Sequence, residues 1–203
     1  MLEILVVRHG QSIADLEYRH EGRANFPLTD LGVNQAKAAA TWIKNNFQPE
    51  IIISSTLQRA YKTAEIIGDA TGAKIIKEEN IMEWNNGLLA GLLRDEAEKI
   101  YPMPDGGRKP HHEFAESESY INFRARAEMF WSKFIEEYYS YDEDKRICMV
   151  SHGGMINMLF ASFLNLPINN NSILVTGDTG MHLWRIKDNR KIIVFSNSLK
   201  HLK

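Results

Sequence analysis

The first apolar run, residues 2–7, is broken only by Glu3 and is short and rich in β-branched side chains, the pattern of a strand buried on both faces. It stops at Arg8-His9-Gly10. Ala36, Ala39, Ala40 and Ile43 then fall on one face of a helix expected over residues 31–46, with Asp30 as its N-cap. Ile51-Ile52-Ile53 predicts a second buried strand, stopped by Ser54-Ser55, and a helix follows over 57–70, ending near Gly72. Residues 73–77 predict a third strand, 83–91 an irregular stretch and 92–100 a short helix. Pro102, Pro104, Gly106, Gly107 and Pro110 mark residues 101–117 as an exposed loop. A long helix is expected over 118–139, where Phe123, Ala127, Phe130, Phe134 and Tyr138 recur near helical spacing and read as core. Residues 147–150 predict a fourth strand, ended by Ser151-His152-Gly153-Gly154, with a helix over 155–164. The remaining strands are expected at 172–176, 181–186 and 192–195, the first two flanking a turn at Gly177-Asp178-Thr179-Gly180.

Strands thus alternate with helices over most of the length. That order argues for an α/β fold, a mainly parallel central sheet with helices on both faces. The chain has 203 residues, with no repeat, low-complexity tract or linker, so a single domain over 1–203 is expected.

Composition narrows the chemistry. A net charge of −2 provides no bulk basic field for nucleic acid or an anionic membrane, so an anionic ligand must be held by local charges. The only cysteine, Cys148, allows no internal disulfide, suits a reducing compartment and sits in an apolar strand as inert core. Met1-Leu2-Glu3-Ile4 carries neither a basic n-region nor a long apolar h-region, so no signal peptide is expected. No apolar run is long enough for a membrane span, and a cytoplasmic location is expected.

In open α/β sheets, ligands bind beyond the carboxyl ends of the strands. Three expected strands end alike: in Arg8-His9-Gly10, in Ser54-Ser55 with Arg59 soon after, and in His152-Gly153-Gly154. Each precedes a helix whose first N–H groups favour an anion. Arginine offers planar forks to phosphate oxygens, histidine can be nucleophile or donor, and Gly10, Gly153 and Gly154 permit close backbone approach. One arginine or one histidine at a strand end is usually structural; three converging ends point to a phosphoryl group.

The same residues resemble a known family. Val6-Val7-Arg8-His9-Gly10-Gln11-Ser12 is similar to the signature of the histidine phosphatase, or phosphoglycerate mutase-like, superfamily. So are, in the family's order, residues 22–32 with Pro27-Leu28-Thr29, residues 54–60 with Thr63-Ala64, Glu83 with Gly87 and Gly91, Glu118-Ser119 with Arg126, and Ser151-His152-Gly153-Gly154. The resemblance implies a three-layer sandwich and roles residue by residue. His9 is the nucleophile that becomes phosphorylated. Arg8, Arg59 and His152, with Gly153 beside it, bind the phosphoryl oxygens. Glu83 is the general acid and then the base. No metal and no cofactor are implied, because the arginines supply the positive charge. The implied partner is a small-molecule phosphate ester. Trp84, Asn85, Asn86 and the 101–117 loop are expected on the leaving-group side, the loop covering substrate.

Asp15 departs from the family, which commonly has asparagine there; an ionised aspartate cannot donate to phosphate. It is expected to turn toward Arg8 or Arg23, and Arg23 is a candidate for the missing positive contact. Asp178-Thr179-Gly180 resembles the triplet of aspartic proteases, but those need two triplets in an all-β fold, and a turn is the better reading. His111, His112, Glu113 and Glu116 match no closed metal-ligand spacing. Two alternatives to a phosphatase stand: a mutase, which usually carries a larger insertion between the acid and the second histidine, and a non-catalytic binder, which should lack His9 or Glu83.

Overall fold

The computed structural model describes residues 1–203. In chain order the elements are β1 (Leu2–Arg8), α1 (Ile13–Leu16), α2 (Asp30–Asn46), β2 (Ile51–Ser55), α3 (Gln58–Thr71), β3 (Lys74–Glu78), α4 (Arg94–Ile100), α5 (Tyr120–Tyr138), β4 (Lys145–Ser151), α6 (Gly153–Phe163), β5 (Met181–Lys187) and β6 (Arg190–Ser198), with short 3₁₀ turns between some of them. The strands form one sheet in the order β3-β2-β4-β1-β5-β6. β1, β2, β3 and β4 are mutually parallel, β5 runs against β1, and β6 runs against β5, so only β5 is reversed.

Alternation along the strands builds the three layers. Leu2, Ile4 and Val6 of β1 and Ile147 and Met149 of β4 join Phe123, Phe130, Trp131 and Phe134 of α5 and Met155 and Leu159 of α6 on one face. Leu5 and Val7 of β1 and Cys148 and Val150 of β4 join Ala39, Ala40 and Ile43 of α2 and Ala60, Ala64 and Ile67 of α3 on the other. Glu3, the one carboxylate in β1, is 5% exposed and lies in register with Arg146 of β4 and Arg185 of β5. Both arginines hydrogen-bond its carboxylate, at 3.0 and 2.7 Å, which satisfies a charge that would otherwise be costly to bury. Burial pushes the Cys148 thiol pKa up, in keeping with an inert core residue.

Several details differ from the sequence reading. Residues 172–176 form no strand. The sheet ends at β3 and β6, and the segment pairs with neither edge. It runs over the surface with Ile173 78% and Val175 69% exposed. The N-cap of α2 is Thr29, whose Oγ1 accepts the Gly32 N–H at 3.0 Å; Asp30 is the first helical residue. β6 is longer than the apolar residues 192–195 suggest, because an edge strand tolerates its polar ends. No helix is long and apolar enough to cross a membrane.

Candidate active site

The C-terminal ends of β1, β2 and β4 lie side by side, and the first two residues beyond β1 are pinned between neighbours. The His9 N–H donates to the Ser151 carbonyl at 3.0 Å, and the His9 carbonyl accepts from Thr179 N–H at 3.1 Å. A Cβ on Gly10 would come within 2.4 Å of the Gly32 carbonyl oxygen, so the turn that presents His9 requires glycine there. The Gly10 N–H donates to Thr63 Oγ1 at 3.2 Å, and that hydroxyl donates to the Arg59 carbonyl on α3.

His9 is 1% exposed. Its Nδ1 lies 2.7 Å from the Gly10 carbonyl, which can only accept, so Nδ1 carries the proton and Nε2 the lone pair. Burial, then the charges of Arg59 and Arg8, hold the imidazole pKa well below its ordinary value. The ring is therefore neutral, with Nε2 facing Arg59 Nε at 3.3 Å. Arg59 is fully buried; its two terminal nitrogens donate to the Ala24 and Gly22 carbonyls, which fixes the guanidinium plane. His152 stands across from His9 with ring centroids 5.1 Å apart. Its Nε2 meets Ser55 Oγ at 2.7 Å, and its Nδ1 is buried without a partner. Burial first, then Arg59, lowers its pKa well below the usual value, so it too is neutral.

Glu83 sits at the N-terminus of α6. Its carboxylate accepts the N–H groups of Gly154 at 2.9 Å, Met155 at 3.1 Å and Trp84 at 2.9 Å. A Cβ on Gly154 would stand 2.5 Å from Glu83 Oε1, so this close seat needs a glycine. The helix N-terminus read from the sequence as an anion site thus holds the protein's own carboxylate. Arg126 carries the segment before it: it donates to the carbonyls of Asn80, Met82 and Glu83 and makes a two-pronged pair with Glu118 at 3.0 and 2.9 Å.

Three further carboxylates surround the arginines. Asp15 accepts from Arg8 Nη2 at 3.0 Å, and Asp178 lies 3.2 Å from Arg8 Nη1. The 177–180 segment is the expected turn, and it also delivers Asp178 to Arg8. Glu21 is 3.3 Å from Arg59 Nε and 3.6 Å from His9 Nε2. Sequence reasoning missed Glu21 because it lies in an irregular stretch with no periodicity; its only signal is its place next to Gly22. Donor atoms of His9, Asp15 and Glu21 fall within 4.8 Å of one another. Asp15 is paired with Arg8 and Glu21 with Arg59, so each carboxylate of this trio already has a cationic partner.

A cavity of about 660 Å³ opens over these groups, walled by Arg8, Asp15, Glu21, Glu83, Gly153 and Gly154 together with Arg19, His20 and Arg94. Of the residues expected there, Trp84 and Asn86 line it, while Asn85 and the 101–117 loop do not; Trp84 also lines a second cavity of about 630 Å³, whose lining includes Arg108, Lys109 and His112 of that loop. Arg23 does not line the first cavity; the charges nearest to it in effect are Arg126, Glu118 and Glu79. His111 and His112 are exposed, edge to face with each other.

The sequence model of the histidine phosphatase superfamily (branch 1) matches residues 4–198. The chain is 32% identical over 177 residues to the glucosyl-3-phosphoglycerate phosphatase of Mycobacterium tuberculosis, covering 82% of this chain and 77% of the relative. It is 28% identical over 172 residues to a Yersinia pestis protein named probable phosphoglycerate mutase GpmB, with the same coverage. Among solved structures, the mycobacterial glucosyl-3-phosphoglycerate phosphatase complexed with VO₃ superposes with a TM-score of 0.84 at 26% identity, over 97% of this chain and 99% of that one.

Proposed function

As the chain belongs to the histidine phosphatase superfamily and hydrolyses phosphate monoesters, we propose that it does so through a phosphorylated His9. One observation carries this reading: Nδ1 is committed to the Gly10 carbonyl, leaving a neutral imidazole whose Nε2 lone pair faces the buried guanidinium of Arg59. Nε2 attacks phosphorus while the ester oxygen departs. Arg8, Arg59 and the unpartnered Nδ1 of His152 offer donors to the phosphoryl oxygens, worth most in a buried site. Glu83 gives a proton to the leaving oxygen and then takes one from the water that attacks the phosphohistidine. The guanidinium groups supply the positive charge, and the mechanism uses no metal.

Arg19 and Arg94 in the cavity lining favour a leaving group with a negative charge of its own, and His20 beside them offers a neutral hydrogen-bonding ring. The glucosyl-3-phosphoglycerate in the relative's name is an ester of that kind. Asn86 and Trp84 contact its uncharged part, and a leaving group that extends past Trp84 into the second cavity meets the 101–117 loop. The phosphatase reading is preferred to the mutase one.

Rapid quenching under neutral conditions with labelled substrate should trap an alkali-stable, acid-labile phosphoryl group, absent from His9→Ala. Wild-type turnover by His9→Ala would overturn the mechanism.

A further inference from the structure

The mechanism above gives no task to Glu21, although its carboxylate stands closer to the nucleophilic nitrogen than any other acid. Oε2 is 3.6 Å from His9 Nε2 and Oε1 is 3.3 Å from Arg59 Nε. Ser12 Oγ hydrogen-bonds the same carboxylate, and Ser12 is itself held in a capping box with Asp15, so Glu21 is tethered in place. Its side chain is 14% exposed and lines the cavity. A phosphoryl group in line with Nε2 and in contact with Arg59 must share that space.

We propose that Glu21 is a specificity-determining residue of the phosphoryl site, which admits a dianionic phosphoryl group only when Glu21 is a neutral acid whose O–H donates to a phosphoryl oxygen. The proposal rests on the phosphatase reading of the cavity. Ionised, Glu21 competes with the ligand for Arg59 and repels it; protonated, it adds a donor. Binding of the oxyanion therefore takes up one proton whenever the pH is above the pKa of Glu21, and no bond other than that O–H is made.

The charge around Glu21 fits this role. Asp15 of α1, Asp178 of the turn before β5 and Glu83, seated on the N-terminus of α6, share the site with it, against Arg8 of β1 and Arg59 of α3, while His9 and His152 are neutral. Four carboxylates outnumber these two guanidinium groups, and Arg19, His20 and Arg94 line the same cavity, so a neutral Glu21 removes one charge that opposes an incoming dianion. Burial, the largest cause, and the neighbouring Asp15 push the Glu21 pKa up, opposed by Arg59, the Ser12 hydrogen bond and Arg8. Burial also raises the Asp178 pKa, but Asp178 pairs with Arg8 and does not line the cavity; Glu21 is the acid that reaches both His9 Nε2 and Arg59.

The test is the inhibition constant of inorganic phosphate against pH from 5 to 8 for the wild type and Glu21→Gln, an isosteric change that keeps a donor. Taking the ratio of the two proteins cancels the ionisation of phosphate itself. The ratio should approach a plateau in acid and then rise, by up to about tenfold per pH unit, with the variant binding more tightly at pH 8. A ratio independent of pH, or weaker binding by the variant throughout, would overturn the proposal. A second measurement needs no variant: calorimetry of sulfate binding to the wild type in two buffers of different ionisation enthalpy. Sulfate does not titrate in this range, so uptake approaching one proton at pH 7 supports the proposal and uptake near zero defeats it. If neither oxyanion binds at any pH, the phosphate-site reading falls and takes this one with it. If both bind with no proton linkage, only the role of Glu21 falls.

Discussion

Asp15 and Arg8 form a direct pair, Oδ1 to Nη2 at 3.0 Å, while the other Asp15 oxygen accepts the Ser12 N–H at 2.9 Å. The carboxylate at the family's usual asparagine position is thus turned to a cation and to the cap of α1. Arg8 keeps two other partners, Asp178 at 3.2 Å and the Thr176 carbonyl at 3.2 Å.

Asp15→Asn should therefore change the phosphate inhibition constant little at neutral pH. A partly exposed pair of this kind is worth about 1 kcal/mol or less, which is about fivefold in binding. The expected direction is a slight weakening, because Arg8 loses an anchor. Inhibition measured side by side for the two proteins checks it; distinctly tighter binding by the variant would mean that Asp15 opposes the ligand directly.

The convergence of Arg8, His9, Arg59 and His152 was legible because apolar strands mark their own ends and a parallel sheet gathers those ends on one rim. Asp178 was visible as part of a turn, but its contact with Arg8 spans most of the chain and leaves no local pattern. Glu21 belongs to a stretch whose backbone follows no period, so nothing in its neighbourhood says which way its side chain points. The apolar residues Ile173, Leu174 and Val175 gave a strand signal that the fold does not use: β-propensity depends on pairing and burial, and this segment lies on the surface with Ile173 and Val175 exposed. The N-cap shift from Asp30 to Thr29 is a one-residue ambiguity between two good capping side chains.

His182 predicts a pH dependence of stability. It is fully buried in β5, with Nδ1 accepting the Asn197 N–H at 3.2 Å and Nε2 therefore bearing the proton near Thr176 Oγ1 at 2.9 Å. Burial pushes its pKa down to about 4. The unfolded chain, with a pKa of about 6.5, binds a proton over a range in which the native state does not. Stability from this group is complete above about pH 6.5 and falls as the pH drops toward 4, by about 3 kcal/mol in all. His9 and His152 shift in the same direction. Urea unfolding at pH 7 and pH 4 should show the wild type losing more stability than His182→Gln over that interval; equal losses would rule out this source.

Glu83 decides how the enzyme treats its leaving group. The Arg126 guanidinium holds the Glu83 carbonyl at 3.1 Å and the Glu118 carboxylate at 2.9 Å, and the α6 N–H groups fix the Glu83 carboxyl at the cavity wall. A positioned proton donor is worth about a hundred- to ten-thousandfold in rate, but only where the leaving oxygen needs the proton. An alkoxide is a poor leaving group and needs it; a nitrophenolate does not. Glu83→Gln keeps the shape and loses the proton, so turnover of alkyl phosphates should fall by about that factor while phosphorylation of His9 by nitrophenyl phosphate stays near the wild-type rate. The step that follows, water attack on the phosphohistidine, also loses its base, so the aryl ester should show a burst of nitrophenol and then slow turnover. Stopped-flow traces of both substrate types with Glu83→Gln read both effects in one experiment. Equal losses for the two esters in the first turnover would remove Glu83 as the proton donor, and a burst absent from the aryl reaction would remove it as the base.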